Sequence, residues 1–64
     1  MKVGDLIRRL EAVGWQLART LGTHRQDRHP TRTGTVTVAG KRSRDVPSGT
    51  LMAILRQAGL RIRK

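Results

Sequence analysis

The apolar residues of this chain fall on two helical stripes with an alternating stretch between them, and few are left over to build anything else. Val3, Leu6, Ile7, Leu10 and Val13 recur at i, i+3, i+4, i+7 and i+10, which lines them along one side of a helix. Arg8, Arg9 and Glu11 fall off that stripe, and Gly14 is a suitable stop, so the pattern predicts a helix over about residues 3–13. Toward the other end, Pro47 opens a second helix where its missing N–H costs nothing. Leu51, Ile54, Leu55 and Ala58 form its stripe. Gly59 ends it, and Leu60 is placed to fold back as the hydrophobic contact after a glycine cap.

The stretch between the helices has a different period. Trp15, Leu17 and Leu21 alternate with Gln16, Ala18 and Thr20, predicting a strand with Trp15 and Leu17 toward the core. Arg19 breaks the alternation, so this strand is expected to be short or bent. Gly22-Thr23 suits a hairpin turn. Val36 and Val38, alternating with Thr35 and Thr37, predict another strand, and Pro30 to Gly34 form a turn before it. The segment HRQDRH holds no aliphatic residue, yet a strand over about 24–29 pairing both neighbours is the economical arrangement. The expected class is α+β, in the order α-β-β-β-α. A three-stranded antiparallel sheet would carry two helices on one face and leave the other open to solvent.

Sixty-four residues make a single domain, 1–64, with a basic tail at 61–64 that is expected to fray. A chain this short buries only about 60% of the surface its unfolded form exposes. With one Trp and no Phe, Tyr or Cys, its core must be aliphatic, and neither a disulfide nor a thiolate site is available. A tight partner would add stability by mass action. The N-terminal MKVGDLIRRLEAVG carries charges every few residues, unlike a secretory signal or a membrane span. A cytoplasmic location, with no membrane partner, is the default expectation.

Charge narrows the function classes. Fourteen Lys and Arg against four Asp and Glu leave a net +10, and most of the cations are Arg. Arg is the better fork for phosphate and stacks on bases, which points to nucleic acid, RNA or DNA undecided. The competing readings are an acidic protein partner and a soluble domain that merely uses Arg.

Both histidines lie in GTHRQDRHP, residues 22–30. In a strand, positions 24 and 29 point to opposite faces; on a helix, five residues set them well apart around the axis. Neither geometry makes a two-histidine metal site, and there is no Cys and little carboxylate to complete one. No cofactor is expected. A two-histidine acid/base couple fails on the same ground.

The segments LIRRLEAVGW, GTHRQDRHP, GTVTV and DVPSGTLMAILRQAGL, in this order and spacing, resemble the HicA toxin family, also called YcfA-like. The match spans about residues 3–60. That family has a helix ending in a Gly-Trp-like pair, a Gly-Ser/Thr-His turn and a following His-Pro. It then has a Gly-Thr-Val-rich strand and a Pro-x-Gly-Thr-Leu helix ending in Gln-Ala-Gly-Leu. The resemblance implies a double-stranded-RNA-binding-domain-like fold and mRNA interferase activity. It further implies a HicB-like acidic antitoxin as partner, and His24 as the catalytic residue. Two positions depart from the pattern. Asp27 stands where the family usually has an aromatic, and Ala39-Gly40 where it often has His-Pro. By strand parity Asp27 shares a face with Arg25 and His29; if that face is the core, an unpaired carboxylate there is costly.

His24 follows the hairpin turn on the expected open face, with Gln26 and Arg28. RNA brings its own nucleophile, the 2′-OH beside the scissile phosphate, so an enzyme need only move a proton and stabilise charge. A positioned His supplies about 10²–10⁴-fold as general acid or base, and Arg the electrostatic part. Arg25, Arg28, Lys41, Arg42 and Arg44 are the candidate nucleic-acid-binding residues, by charge and position. His29 is expected to be structural, bonded to a turn carbonyl or to Asp27. Two other classes stand beside this one. A non-catalytic RNA-binding module of the same fold would usually start its second helix with Lys, whereas PSGTLMA has no cation. A DNA-binding or ribosome-associated protein held by charge alone would not depend on His24.

Overall fold

The computed structural model describes residues 1–60. The elements follow the expected order: α1 (Val3–Ala12), β1 (Gln16–Leu21), β2 (His24–Arg28), β3 (Val36–Ala39) and α2 (Ser48–Gln57). The sheet is antiparallel in the order β1-β2-β3, with β2 in the centre. The fold is α+β. The tail expected to fray, 61–64, lies outside the described residues.

One face of the sheet carries the core. Val36 and Val38 of β3 are buried against Leu6, Ile7 and Leu10 of α1 and Ile54 and Leu55 of α2. Each such side chain contributes about 1.5–3 kcal/mol by leaving water. Thr37 and Ala39, of the opposite parity, are exposed. Trp15 is buried just before β1 and donates its indole N–H to the Ala58 carbonyl at 3.3 Å, tying the end of α1 to the end of α2. Past α2, Gly59 adopts φ +76° and the Leu60 N–H bonds back to Leu55 O at 2.8 Å, the glycine-capped ending expected from the sequence.

Two apolar residues expected inside are not. Val13 is 45% and Leu17 50% exposed. The helix has already ended at Val13. Leu17 pairs with Asp27 and so faces the helices, but it sits on an edge strand that they do not cover. The register then slips between Leu17 and Arg19, and Ala18 is the extra residue of a bulge.

The segment 41–45, which holds three of the candidate nucleic-acid-binding residues, also has a structural task. Lys2 bridges Asp45, and the Val46 N–H bonds to Met1 O at 2.9 Å. The Val3 and Gly4 N–H groups donate to Arg44 O (2.8 Å) and Arg42 O (3.0 Å). These are orphan donors of the first helical turn, and Lys2 provides no side-chain cap. Loop carbonyls cap α1 instead.

Candidate active site

The bulge determines what lies on the uncovered face. Directly paired residues share a face, and the register pairs Gln16 with Arg28, Arg19 with Gln26 and Leu21 with His24. On the other side, His24 pairs with Ala39 and Gln26 with Thr37. His24, Gln26 and Arg28 therefore line the centre of the open face. Without the bulge, Arg19 would point toward the helices; with it, Arg19 stands opposite Gln26. Diagonal neighbours across a strand pair lie about 7–8 Å apart, so His24 and Arg28 both fall within the span of the long Arg19 side chain. The sequence flagged Arg19 only as an interruption of the alternation, and that interruption was the signal.

His24 begins β2 immediately after the two-residue turn Gly22-Thr23. Gly22 takes φ +60° and Thr23 does not, the pattern of a hairpin turn with positive φ at its first central position only. The Gly40 N–H bonds to Thr23 O at 3.1 Å and ties the turn to the end of β3. His24 is exposed between Leu21 and Ala39, small or aliphatic neighbours that leave its ring open to a ligand.

The basic candidates divide. Arg28 is exposed on the same face as His24. Lys41 and Arg44 wall a cavity of about 250 Å³ together with Thr23, the residue before His24. Arg44 also lines a larger one, about 480 Å³, between the end of β3 and the start of α2. Arg42 packs against Gly4 at the start of α1 and lines neither of these two cavities. Arg25 lies on the helix-facing side, only 14% exposed in its side chain, with both ends of its guanidinium engaged. Its Nε–H donates to Asp27 Oδ1 at 2.8 Å and a terminal N–H to Glu11 Oε2 at 3.2 Å.

That engagement resolves the Asp27 problem. Asp27 is fully buried on the core side of β2, and its partner there is Arg25 rather than His29. Its Oδ2 has no partner among the described residues. His29 bonds elsewhere. Its Nδ1 accepts the Thr31 N–H at 3.1 Å, which leaves the proton on Nε2, and Nε2–H donates to the Val13 carbonyl at 2.8 Å. The ring also meets Trp15 edge-on, centroids 5.2 Å apart. His29 is thus a staple from β2 to the end of α1, on the side of the sheet away from His24. Among the described residues, no three His, Cys, Asp or Glu side chains gather where they could hold a metal ion. No helix there is long and apolar enough to cross a membrane.

No curated protein matches the sequence significantly. The family model for the HicA toxin of bacterial toxin–antitoxin systems matches residues 3–60. That span takes in every helix and strand, the hairpin turn, His24 and the surrounding cations, and the chain belongs to the HicA toxin family.

Proposed function

We propose that this toxin acts as an mRNA interferase, an endoribonuclease whose catalytic residue is His24, and that a HicB-like acidic antitoxin neutralises it. One observation carries this reading: the exposed His24 shares an uncovered face with Arg19 and Arg28, beside a cavity walled by Lys41 and Arg44.

The chemistry follows from what those groups supply. Lys41 and Arg44 hold the RNA backbone beside the turn. His24 takes the proton from the 2′-OH, whose oxygen attacks the adjacent phosphorus and displaces the 5′-oxygen of the next nucleotide. The P–O5′ bond breaks, the leaving oxygen takes a proton from water, and a 2′,3′-cyclic phosphate remains. Charge on the phosphoryl oxygens rises during attack, and guanidinium groups on the same face stabilise it. Arg19 and Arg28 occupy that position. Arg25, bound to Asp27 and Glu11, works behind the strand instead, holding it.

Incubation with a defined RNA, followed by end-group analysis in the presence of EDTA, tests the mechanism. Products ending in 2′,3′-cyclic or 3′-phosphate, formed with EDTA present, are expected. Activity abolished by EDTA and restored by a divalent metal would overturn it. RNA shifted in a gel but never shortened would assign the fold to a non-catalytic binding module.

A further inference from the structure

The loop after β2, residues 29–35, contains no aliphatic side chain yet is tied down along its length. At its start His29 is fixed to Val13 and Thr31. In its middle the Arg32 guanidinium packs against Gly59, leaving no room for a Cβ there. At its end the Gln57 side-chain amide donates to Thr35 O at 2.6 Å. A solvated connection needs no such fixing. What the fixing creates is a cavity of about 300 Å³ beside Arg28, lined by Arg28, His29, Arg32, Thr33, Gly34 and Thr35. Arg28 and Arg32 have no carboxylate partner among the described residues, and none of the chain's four carboxylates lines the cavity.

We infer that this cavity is a second, non-catalytic phosphate subsite for the RNA backbone, with Arg32 as its defining residue. The inference rests on the RNA-cleaving reading and adds where the chain runs. Arg28, Arg32 and two threonines are among the lining residues, and guanidinium and hydroxyl donors match phosphate oxygens. Holding Arg32 against the end of α2 before RNA arrives removes part of the entropy cost of binding. The cavity lies at the Arg28 end of β2, and His24 at the other. Four residues of strand separate them by about 13 Å, further than a single phosphodiester linkage spans. RNA that fills both ends must therefore cross the open face past Arg19. Substrate length, rather than base identity, is what this arrangement reads.

Chemical-shift titration with 2′-O-methyl RNA tests it, because such RNA lacks the nucleophile and is not cut. A dinucleoside monophosphate is compared with a single strand of about eight nucleotides, inside the site sizes common for single-strand binders. Arg32→Gln should weaken the longer strand at least about five-fold more than the dinucleoside and lower its log–log salt slope by about 0.7, the value for one lost phosphate contact. Thr33→Glu, which leaves the Arg32 packing in place, should act in the same direction. A melting curve for each variant identifies any loss that comes from unfolding. Equal weakening of both ligands, or no weakening in either variant, overturns the subsite while leaving cleavage at His24 untouched. Undiminished RNA affinity with reduced antitoxin affinity would assign the cavity to the protein partner. Failure of the unmodified protein to bind either RNA would overturn the subsite and the RNA reading together.

Discussion

Arg25 reaches two residues forward along its own strand to hold Asp27, and Asp27 is the one fully buried charged residue of the described chain. The two sides of this pair are unequal. Arg25 has a second carboxylate, Glu11, and a route to solvent, whereas Asp27 has Arg25 alone and an unpaired Oδ2. Removing one partner of a buried pair costs about 3–5 kcal/mol when the other charge is stranded, while replacing a buried ion with a well-packed apolar group is often neutral or stabilising. Arg25→Ala should therefore lose about a third or more of the stability of a domain this small, which totals only about 3–10 kcal/mol at typical values per residue. Asp27→Leu should leave the melting temperature unchanged or raise it. Urea denaturation of both variants decides; a larger loss for Asp27→Leu would show that the carboxylate holds β2 in a way the pairing does not explain.

The His29 staple gives a second prediction. His29→Ala leaves the Val13 carbonyl and the Thr31 N–H without their partner and removes the edge contact with Trp15. The bonds are partly solvated, so a loss of about 1–2 kcal/mol is expected, near the lower end for an abandoned hydrogen-bonding group. For a domain of this length each kcal/mol moves the melting temperature by about 4–8 °C. Gly14 is coupled to the same contact. It takes φ +102°, and a Cβ on it would stand 2.6 Å from His29 Nε2. Gly14→Ala should be more damaging than His29→Ala, and the double variant less damaging than the sum, because the clash needs the ring. Strict additivity of the two in melting curves would contradict the contact.

How much of this was legible in the sequence depends on which residues carried a local period. The stripes of α1 and α2, the valines of β3 and the Gly22-Thr23 turn repeat or punctuate at short range, and apart from Val13 at the end of α1 they fold as their spacing predicts. Leu17 follows the right alternation but lies on an edge strand that the helices leave bare, and coverage by a distant element has no local signature. The bulge at Ala18 was foreshadowed by Arg19 breaking the pattern, though not the face on which Arg19 would emerge. In the sequence Arg25 ranks with the nucleic-acid candidates, because charge alone does not tell a ligand-binding Arg from one that pairs with a buried carboxylate. The capping of α1 by carbonyls of the 42–44 segment joins residues some forty positions apart, and nothing in either segment announces the other.

Catalysis should separate from stability along β2. His24→Ala removes an exposed side chain that contributes no packing, and surface substitutions usually stay within about ±0.5 kcal/mol. Its single-turnover cleavage rate should fall by about 10²–10⁴-fold, the usual worth of a positioned acid or base. Arg19→Ala should lower the same rate by at least about ten-fold, less than the 10²–10³ of a lone charge-stabilising donor because Arg28 shares the work. The melting temperatures of both variants should match the parent. An unfolded His24→Ala, or an Arg19→Ala that cleaves at the full rate, would show that the open face has been assigned wrongly.

The same face should govern neutralisation. A toxin of a toxin–antitoxin pair needs a partner that silences it, and a net +10 on a domain this small leaves an acidic protein the natural complement. Electrostatic complementarity of this kind acts mainly on the association rate. Raising ionic strength from low to physiological values should therefore slow toxin–antitoxin association far more than it speeds dissociation, since screening shortens the reach of surface charges to about 8 Å. Because Arg19, His24 and Arg28 lie on one uncovered side of the sheet, an antitoxin seated there excludes RNA, and the two ligands should compete. Stopped-flow association across a salt series, with a competition assay using uncleavable RNA, measures both effects. A ternary complex that still cuts RNA would place the antitoxin on the helices and leave the open face to RNA alone.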